Sequence, residues 1–233
     1  MKRTTIDLVL KLTAKTLVVD SQHGKSVIVK LTDKHEVEVL RRLHANQSTK
    51  PTRIIPLMDV LDGRLMVLPL RTPLRHFLVF DIRGDDIEQL ALQFLEGVAY
   101  LQQSSIAHLD LKPDNIVVRR DPQSKKVDLS IIDFNIAVYA DTEPTISGET
   151  GTRGWRAPEV TARKPYDPLL ADRWSCGRVL EYLTEQRMVQ NQMRERMRLL
   201  SRRLMDPDPS RRPPVDLHQL DPQKMEGAPD LSI

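Results

Sequence analysis

His108-Leu109-Asp110-Leu111-Lys112-Pro113-Asp114-Asn115 holds a carboxylate, a cation two residues later and an amide three residues beyond that. Before it runs an apolar stripe at helical spacing, Ile87, Leu90, Ala91, Phe94, Leu95, Val98 and Leu101; after it comes the β-branched run Ile116-Val117-Val118. The octapeptide therefore reads as a loop joining a helix to a strand. Phosphoryl transfer from a nucleotide needs such a set of groups. A carboxylate orients the attacking hydroxyl and takes its proton, a cation neutralises the moving group, and hard oxygen donors hold Mg²⁺. A second carboxylate for the metal is expected close by. Asp133, at the end of the apolar strand over residues 127–132, fills that place. Taken singly, Asp110 reads as a loop cap and Asp133 as a turn residue; their joint spacing argues for chemistry.

Outward from this loop the chain divides into a small β-rich part and a mainly helical part. Strands are expected over residues 6–10, 16–19, 26–31, 54–60 and 65–70, with one helix over 34–44 whose Val37, Leu40 and Leu43 share a face. The helical pattern begins at Asp85, and after the strands over 115–118 and 127–132 the chain reads as loop to about residue 158, then helix. The expected division is 1–70, 71–217 and a polar tail at 218–233. Hydrophobic residues make up 40% and charged residues 29% of the 233, the composition of a water-soluble domain with a sizeable core. No apolar run approaches the roughly 20 residues of a membrane span, so no membrane partner is expected. The single cysteine, Cys176, excludes an internal disulfide framework and fits a reducing compartment; with no targeting signal read in the sequence, cytoplasmic residence is the default expectation and nuclear residence the alternative. The six histidines do not cluster with cysteines or carboxylates at metal-ligand spacing. Net charge is +3, and the densest basic stretch is 194–203. It reads as an amphipathic helix with Met193, Met197, Leu200 and Leu204 inward and solvated arginines outward. No aromatic stacking residues accompany the charge, so a nucleic-acid partner is not expected.

Residues 108–115 resemble the catalytic loop of the eukaryotic protein kinase family, with Asp110 as catalytic base and Asn115 as metal ligand. Lys112 followed by Pro113 is similar to the Ser/Thr form of that loop. Asp133-Phe134-Asn135 resembles the family's metal-binding turn, and Gly151-Thr152-Arg153-Gly154-Trp155-Arg156-Ala157-Pro158-Glu159 the end of its activation segment. The resemblance implies that Thr152 bonds Asp110 and Lys112, that Glu159 pairs with a buried Arg212, and that Asp172 anchors the loop containing His108. It implies an α+β, bilobal kinase fold, ATP and Mg²⁺ as cofactors, and a protein substrate. Small-molecule phosphotransferases share the Asp–Asn–Asp arrangement but lack the Ala-Pro-Glu segment and its arginine partner.

The first lobe resembles the family less closely. Val27-Ile28-Val29-Lys30 is similar to the strand bearing the phosphate-binding lysine, and Glu36 to its helical partner. The six-residue separation is short, however, and Glu38 is a rival. No glycine stands between Leu8 and Val19, where a lid over the phosphates belongs, so Thr13-Ala14-Lys15 would make a cruder one. Gly24-Lys25-Ser26 has the tail of a Walker A motif, but Val19 stands where the first glycine must be and a strand follows. Asn135 replaces the glycine of the metal-binding turn, where asparagine's tolerance of positive φ is expected to serve. Leu109 replaces the arginine that receives a phosphorylated activation segment, which implies activity independent of such phosphorylation. Leu68 is expected to border the nucleotide pocket. Pro69-Leu70-Arg71 is expected to form the hinge, with the Pro69 carbonyl and the Arg71 N–H facing adenine. These departures also motivate the alternative of a pseudokinase, a binding or scaffold module of the same shape. The sequence names no substrate, pathway, regulator or oligomeric state.

Overall fold

The computed structural model describes residues 7–13, 15–20, 26–45, 52–186 and 189–220. The turn containing Gly24 and Lys25, and nearly all of the expected tail, lie outside the described residues.

Three strands open the chain, β1 (Asp7–Thr13), β2 (Thr16–Asp20) and β3 (Ser26–Leu31), followed by helix α1 (Lys34–Ala45). Strands β4 (Asp59–Leu61) and β5 (Leu65–Pro69) complete an antiparallel five-stranded sheet in the order β1-β2-β3-β5-β4. Of the strand expected over residues 54–60, only Asp59 and Val60 belong to one, in β4; residues 54–58 do not. Pro56 lacks an N–H for a ladder, and Arg53 sits at φ +59. Ile54 instead forms a parallel bridge to Ile131, and both Ile54 and Ile55 are buried.

The chain leaves the five-stranded sheet at Pro69 and enters a second sheet at once. Strand β6 (Thr72–Pro73) leads into helix α2 (Leu74–Phe80) and then helix α3 (Asp86–Gln103). Sequence periodicity misses α2, because seven residues are too few to display a helical repeat. Strand β7 (Ile106–Ala107), a 3-10 turn at Pro113–Asn115, and strands β8 (Ile116–Arg120), β9 (Val127–Ile131) and β10 (Val138–Tyr139) frame the loops of interest. Helices α4 (Pro158–Thr161), α5 (Pro168–Thr184) and α6 (Asn191–Leu204) complete the second lobe. Among the described residues no helix is long and apolar enough to cross a membrane.

The apolar faces meet in one principal core. Val37, Leu40 and Leu43 of α1 join Leu90, Phe94 and Leu101 of α3, Ile131 of β9 and Leu180 of α5. In α6, Met197, Leu200 and Leu204 turn inward as expected. Not all of its arginines are solvated, however: Arg194 donates to the carbonyls of Thr184, Gln186 and Val189. It satisfies acceptors that the end of α5 leaves open.

Candidate active site

The loop between β7 and β8 is held from below. Asp172, on α5 and almost wholly buried, accepts the N–H groups of His108 at 2.5 Å and Leu109 at 2.8 Å. These bonds fix Leu109 at φ +64, a conformation costly for a leucine and sustained only where its surroundings dictate it. Burial pushes the Asp172 carboxyl up to about 7, against the two N–H bonds, which favour the anion. His108 is fully buried and its pKa is lowered by that burial, so the ring is neutral. It donates from Nε2 to the Ile132 carbonyl at 2.9 Å and accepts the Asp110 N–H on Nδ1 at 3.2 Å, which assigns the tautomer.

Asp110 gathers the remaining loop groups. Lys112 Nζ donates to its Oδ2 at 2.7 Å, and Asn115 Nδ2 to the same oxygen at 3.0 Å. The Thr152 N–H reaches Oδ1 at 2.9 Å, while Thr152 Oγ1 lies 2.6 Å from Lys112 Nζ. Burial alone would raise the Asp110 pKa, but the bonds from Lys112, Thr152 and Asn115 outweigh it and hold the carboxyl below its usual range. Gly151 (φ +79) makes this approach possible: a Cβ there would stand 2.2 Å from the Leu109 carbonyl oxygen. The sequence shows a glycine beside Thr152 but not this contact.

The upper lobe contributes a second constellation. Lys30 Nζ bonds Glu36 Oε1 at 2.8 Å and Asp133 Oδ1 at 2.6 Å. Burial would lower the Lys30 pKa, yet the charges of Glu36 and Asp133 hold it above the ordinary lysine value. Glu36 also accepts from Thr32 Oγ1 at 2.5 Å and from the Phe134 N–H at 3.1 Å. Its buried carboxylate therefore has partners on both oxygens, as a buried charge requires. Glu38 is exposed and takes no part. Helix α1 is further tied to the chain beyond Asp133: His35 Nε2 lies 2.6 Å from the Ala137 carbonyl, and Arg42 bonds Asp141 at 2.6 Å and lies over the Tyr139 ring. Neither residue stands out in the sequence, since lone polar side chains on a helix carry no pairing signal.

One expectation for the turn at Asp133 is corrected. The left-handed residue is Asp133 itself, at φ +71, and Asn135 does not have positive φ. Aspartate visits this region more readily than most residues, so the turn does not need a glycine at Asn135.

A cleft of about 590 Å³ runs between the lobes. Val18, Ile28, Leu68 and Val117 give it apolar walls, with Lys30 and Asp133 at one end and Pro69, Leu70 and Arg71 at the other. The Arg71 side chain turns away to clamp β9, donating to Ser130 Oγ at 2.8 Å and pairing with Asp128 at 3.1 Å. Asn115 and Asp133 line the same cleft. The Asn115 amide nitrogen is committed to Asp110, which leaves its Oδ1 for a metal; Lys30 occupies Asp133 Oδ1, which leaves Oδ2. Two hard oxygens fit Mg²⁺, which takes few protein ligands and completes its shell with phosphate oxygens and water.

Behind the site, Arg212 has no exposed side-chain surface and grips Glu159 with two bonds of 2.6 and 2.8 Å. It also donates to the carbonyls of Asp206 and Leu170, both at 2.9 Å. The segment from Gly151 to Glu159 is thereby fixed to α5 and to the chain after α6.

This arrangement has known counterparts. The chain belongs to the protein kinase family: the family model for the protein kinase domain matches residues 14–217. Over 183 residues it is 30% identical to mitogen-activated protein kinase 13 of Pan troglodytes, a match covering 71% of this chain and 48% of the relative. It is 29% identical over 186 residues to CBL-interacting protein kinase 4 of Oryza sativa subsp. japonica, covering 67% of this chain and 38% of that one. A shorter match, 43% over 93 residues, covers 39% of this chain and 20% of the mitochondrial serine/threonine-protein kinase ppk24 of Schizosaccharomyces pombe. The chain thus spans about half or less of these relatives. Its fold is the α+β, bilobal kinase fold, a β-sheet lobe above a helical one.

Proposed function

We propose that this chain is an active, Mg²⁺-dependent kinase that transfers the γ-phosphoryl group of ATP to serine or threonine hydroxyls of a protein substrate. One observation carries the reading: Lys30 reaches Glu36 and Asp133 together, despite the short spacing along the chain. The upper lobe's cation is thereby joined to Asp133, which shares the cleft with Asn115. In this reading residues 1–70 supply the nucleotide lobe and 71–217 the catalytic one. The Pro69 carbonyl and the Arg71 N–H take the edge of adenine, and Lys30 takes the α and β phosphates. Asn115 and Asp133 hold Mg²⁺, which when bound neutralises charge between phosphate oxygens. Asp110 accepts the substrate hydroxyl and receives its proton at a carboxylate oxygen. Because its pKa is depressed, it is ionised at neutral pH and orients the hydroxyl more than it strips it early, which suits a loose transition state. Lys112 stands beside it and stabilises the moving phosphoryl. Lys112 with Pro113 favours serine and threonine as acceptors.

A second reading, a kinase-shaped binding module, is favoured by the β1–β2 hairpin. Its last pair is Thr13–Thr16, and the sequence between them, where a phosphate lid belongs, has no glycine. Calorimetric titration of ATP with and without Mg²⁺ separates the two. Mg²⁺-dependent binding weakened by Asp133→Asn, together with an Asp110→Ala variant that binds ATP but does not turn over, is the expected result. No binding at millimolar ATP would leave only the binding module.

A further inference from the structure

A second cavity, of about 440 Å³, opens between the segment preceding α4 and the helices α5 and α6, lined by Gly154, Arg156, Trp174, Arg178, Arg202 and Met205. Three of its six lining residues are arginines, and two of these are held in place. Arg156 donates to the Gly151 carbonyl at 2.6 Å and pairs with Glu149, and Arg178 pairs with Glu181 and lies over the Trp155 ring. The Arg202 guanidinium, exposed on α6, makes no hydrogen bond or ion pair among the described residues. Glu149 is shared between Arg156 and Arg163, so the carboxylates near the cavity do not cancel its positive charge. Arginine forks suit carboxylate and phosphate oxygens, and the Trp174 ring offers an apolar wall beside them.

The position matters as much as the charge. Gly154 lies two residues from Thr152, which touches both Asp110 and Lys112, in a turn that the Trp155 N–H closes onto the Thr152 carbonyl at 3.1 Å, so the chain between cavity and site spans at most about 7 Å. A peptide with its hydroxyl at Asp110 would therefore have this cavity within reach of a few residues. We infer that the cavity binds an anionic side chain, carboxylate or phosphate, of the protein substrate, a few residues from the acceptor hydroxyl. The inference rests on the kinase reading above and assigns it a substrate class, acidic or already phosphorylated protein segments.

The test uses serine peptides in a neutral background, with Asp, phosphoserine or Lys placed in turn at about four positions on either side of the acceptor. The full chain is compared with Arg202→Glu and with Arg203→Glu, which alters an exposed neighbour outside the cavity. Expected is an acidic preference at one position, with KM for that peptide raised about tenfold by Arg202→Glu at unchanged kcat, and lowered for the matching Lys peptide. A preference for phosphoserine over Asp assigns the anion to a phosphorylated protein; equal use assigns it to an acidic one. Peptides phosphorylated without regard to charge, or an equal effect of Arg203→Glu, would overturn the inference while leaving the kinase reading intact. If no peptide is phosphorylated, the kinase reading fails and fluorescence anisotropy of the same peptides decides. Acid-selective binding lost in Arg202→Glu upholds the cavity, and charge-blind or absent binding overturns it.

Discussion

Replacing Gly151 by alanine adds one methyl group at the point where the segment crosses the loop bearing Asp110. The new carbon would lie 2.2 Å from the Leu109 carbonyl oxygen, 3.4 Å from its carbon and 3.6 Å from Asp110 Oδ1. The oxygen cannot yield, because it belongs to the backbone of a residue pinned by Asp172. The positive φ of 79° costs alanine ~1–2 kcal/mol, and overpacking adds ~1–3 kcal/mol, for a total of about 2–5 kcal/mol. Relief requires the segment to move away, which stretches the Thr152 bonds to Asp110 and Lys112. A displacement of about 1 Å in a positioning element can cost roughly a hundredfold in rate. Gly154→Ala separates the two contributions, since Gly154 has φ +89 but nothing within 4 Å of its added carbon. Denaturant unfolding should place Gly154→Ala about 1–2 kcal/mol below the parent and Gly151→Ala further down. Turnover should fall steeply only for Gly151→Ala. Equal stability of the two variants would refute the claim that close approach, and not backbone conformation, is what requires glycine at 151.

Two further outcomes follow from the buried groups. Arg212→Ala strands Glu159 and should cost about 3–5 kcal/mol in chemical unfolding, whereas Arg212→Met combined with Glu159→Leu should recover most of it; a double variant as unstable as the single one would count against a desolvated pair. His108 has its folded pKa lowered by burial, so below its unfolded value of about 6.5 the unfolded chain takes up a proton that the folded one refuses. Its stability contribution is therefore present at pH 7.5 and lost as pH falls below 6.5, at up to about 1.4 kcal/mol per pH unit. Asp172, raised to about 7, acts in the opposite sense over the same range, so the comparison must be with His108→Phe at matched pH. The variant should start less stable, having lost its bond to Ile132, but show a shallower acid limb; parallel limbs would refute the assignment.

Much of the site is legible in the sequence because its residues are close neighbours in the chain. Asp110, Lys112 and Asn115 share one loop, and a fixed spacing between groups of matched chemistry suffices to pick them out. The features that the sequence does not show depend on contacts or conformations beyond the local pattern. Residues 54–58 look like strand by composition, yet Pro56 and the bridge from Ile54 to Ile131 divert them, and the strand begins only at Asp59. Asn135 stands where a glycine is expected, but the left-handed residue is Asp133. Arg194 looked solvated because sequence periodicity records which face a residue lies on, not the open carbonyls at the end of a neighbouring helix.

The sequence by itself determined the β-rich and helical parts, the family resemblance and the groups proposed to move a phosphoryl, since these depend on local hydrophobic period and on side-chain chemistry. Whether Glu36 or Glu38 meets Lys30, which residue bears the strain at the Asp133 turn, and why Gly151 admits no Cβ were decided only in three dimensions. Lys30 and Asp133 are 103 residues apart, and their 2.6 Å contact exists because two lobes with separate local patterns bury one common core. Chain separation carries no signal of such contacts; the packing that excludes water from Glu36, Phe134 and His108 creates them.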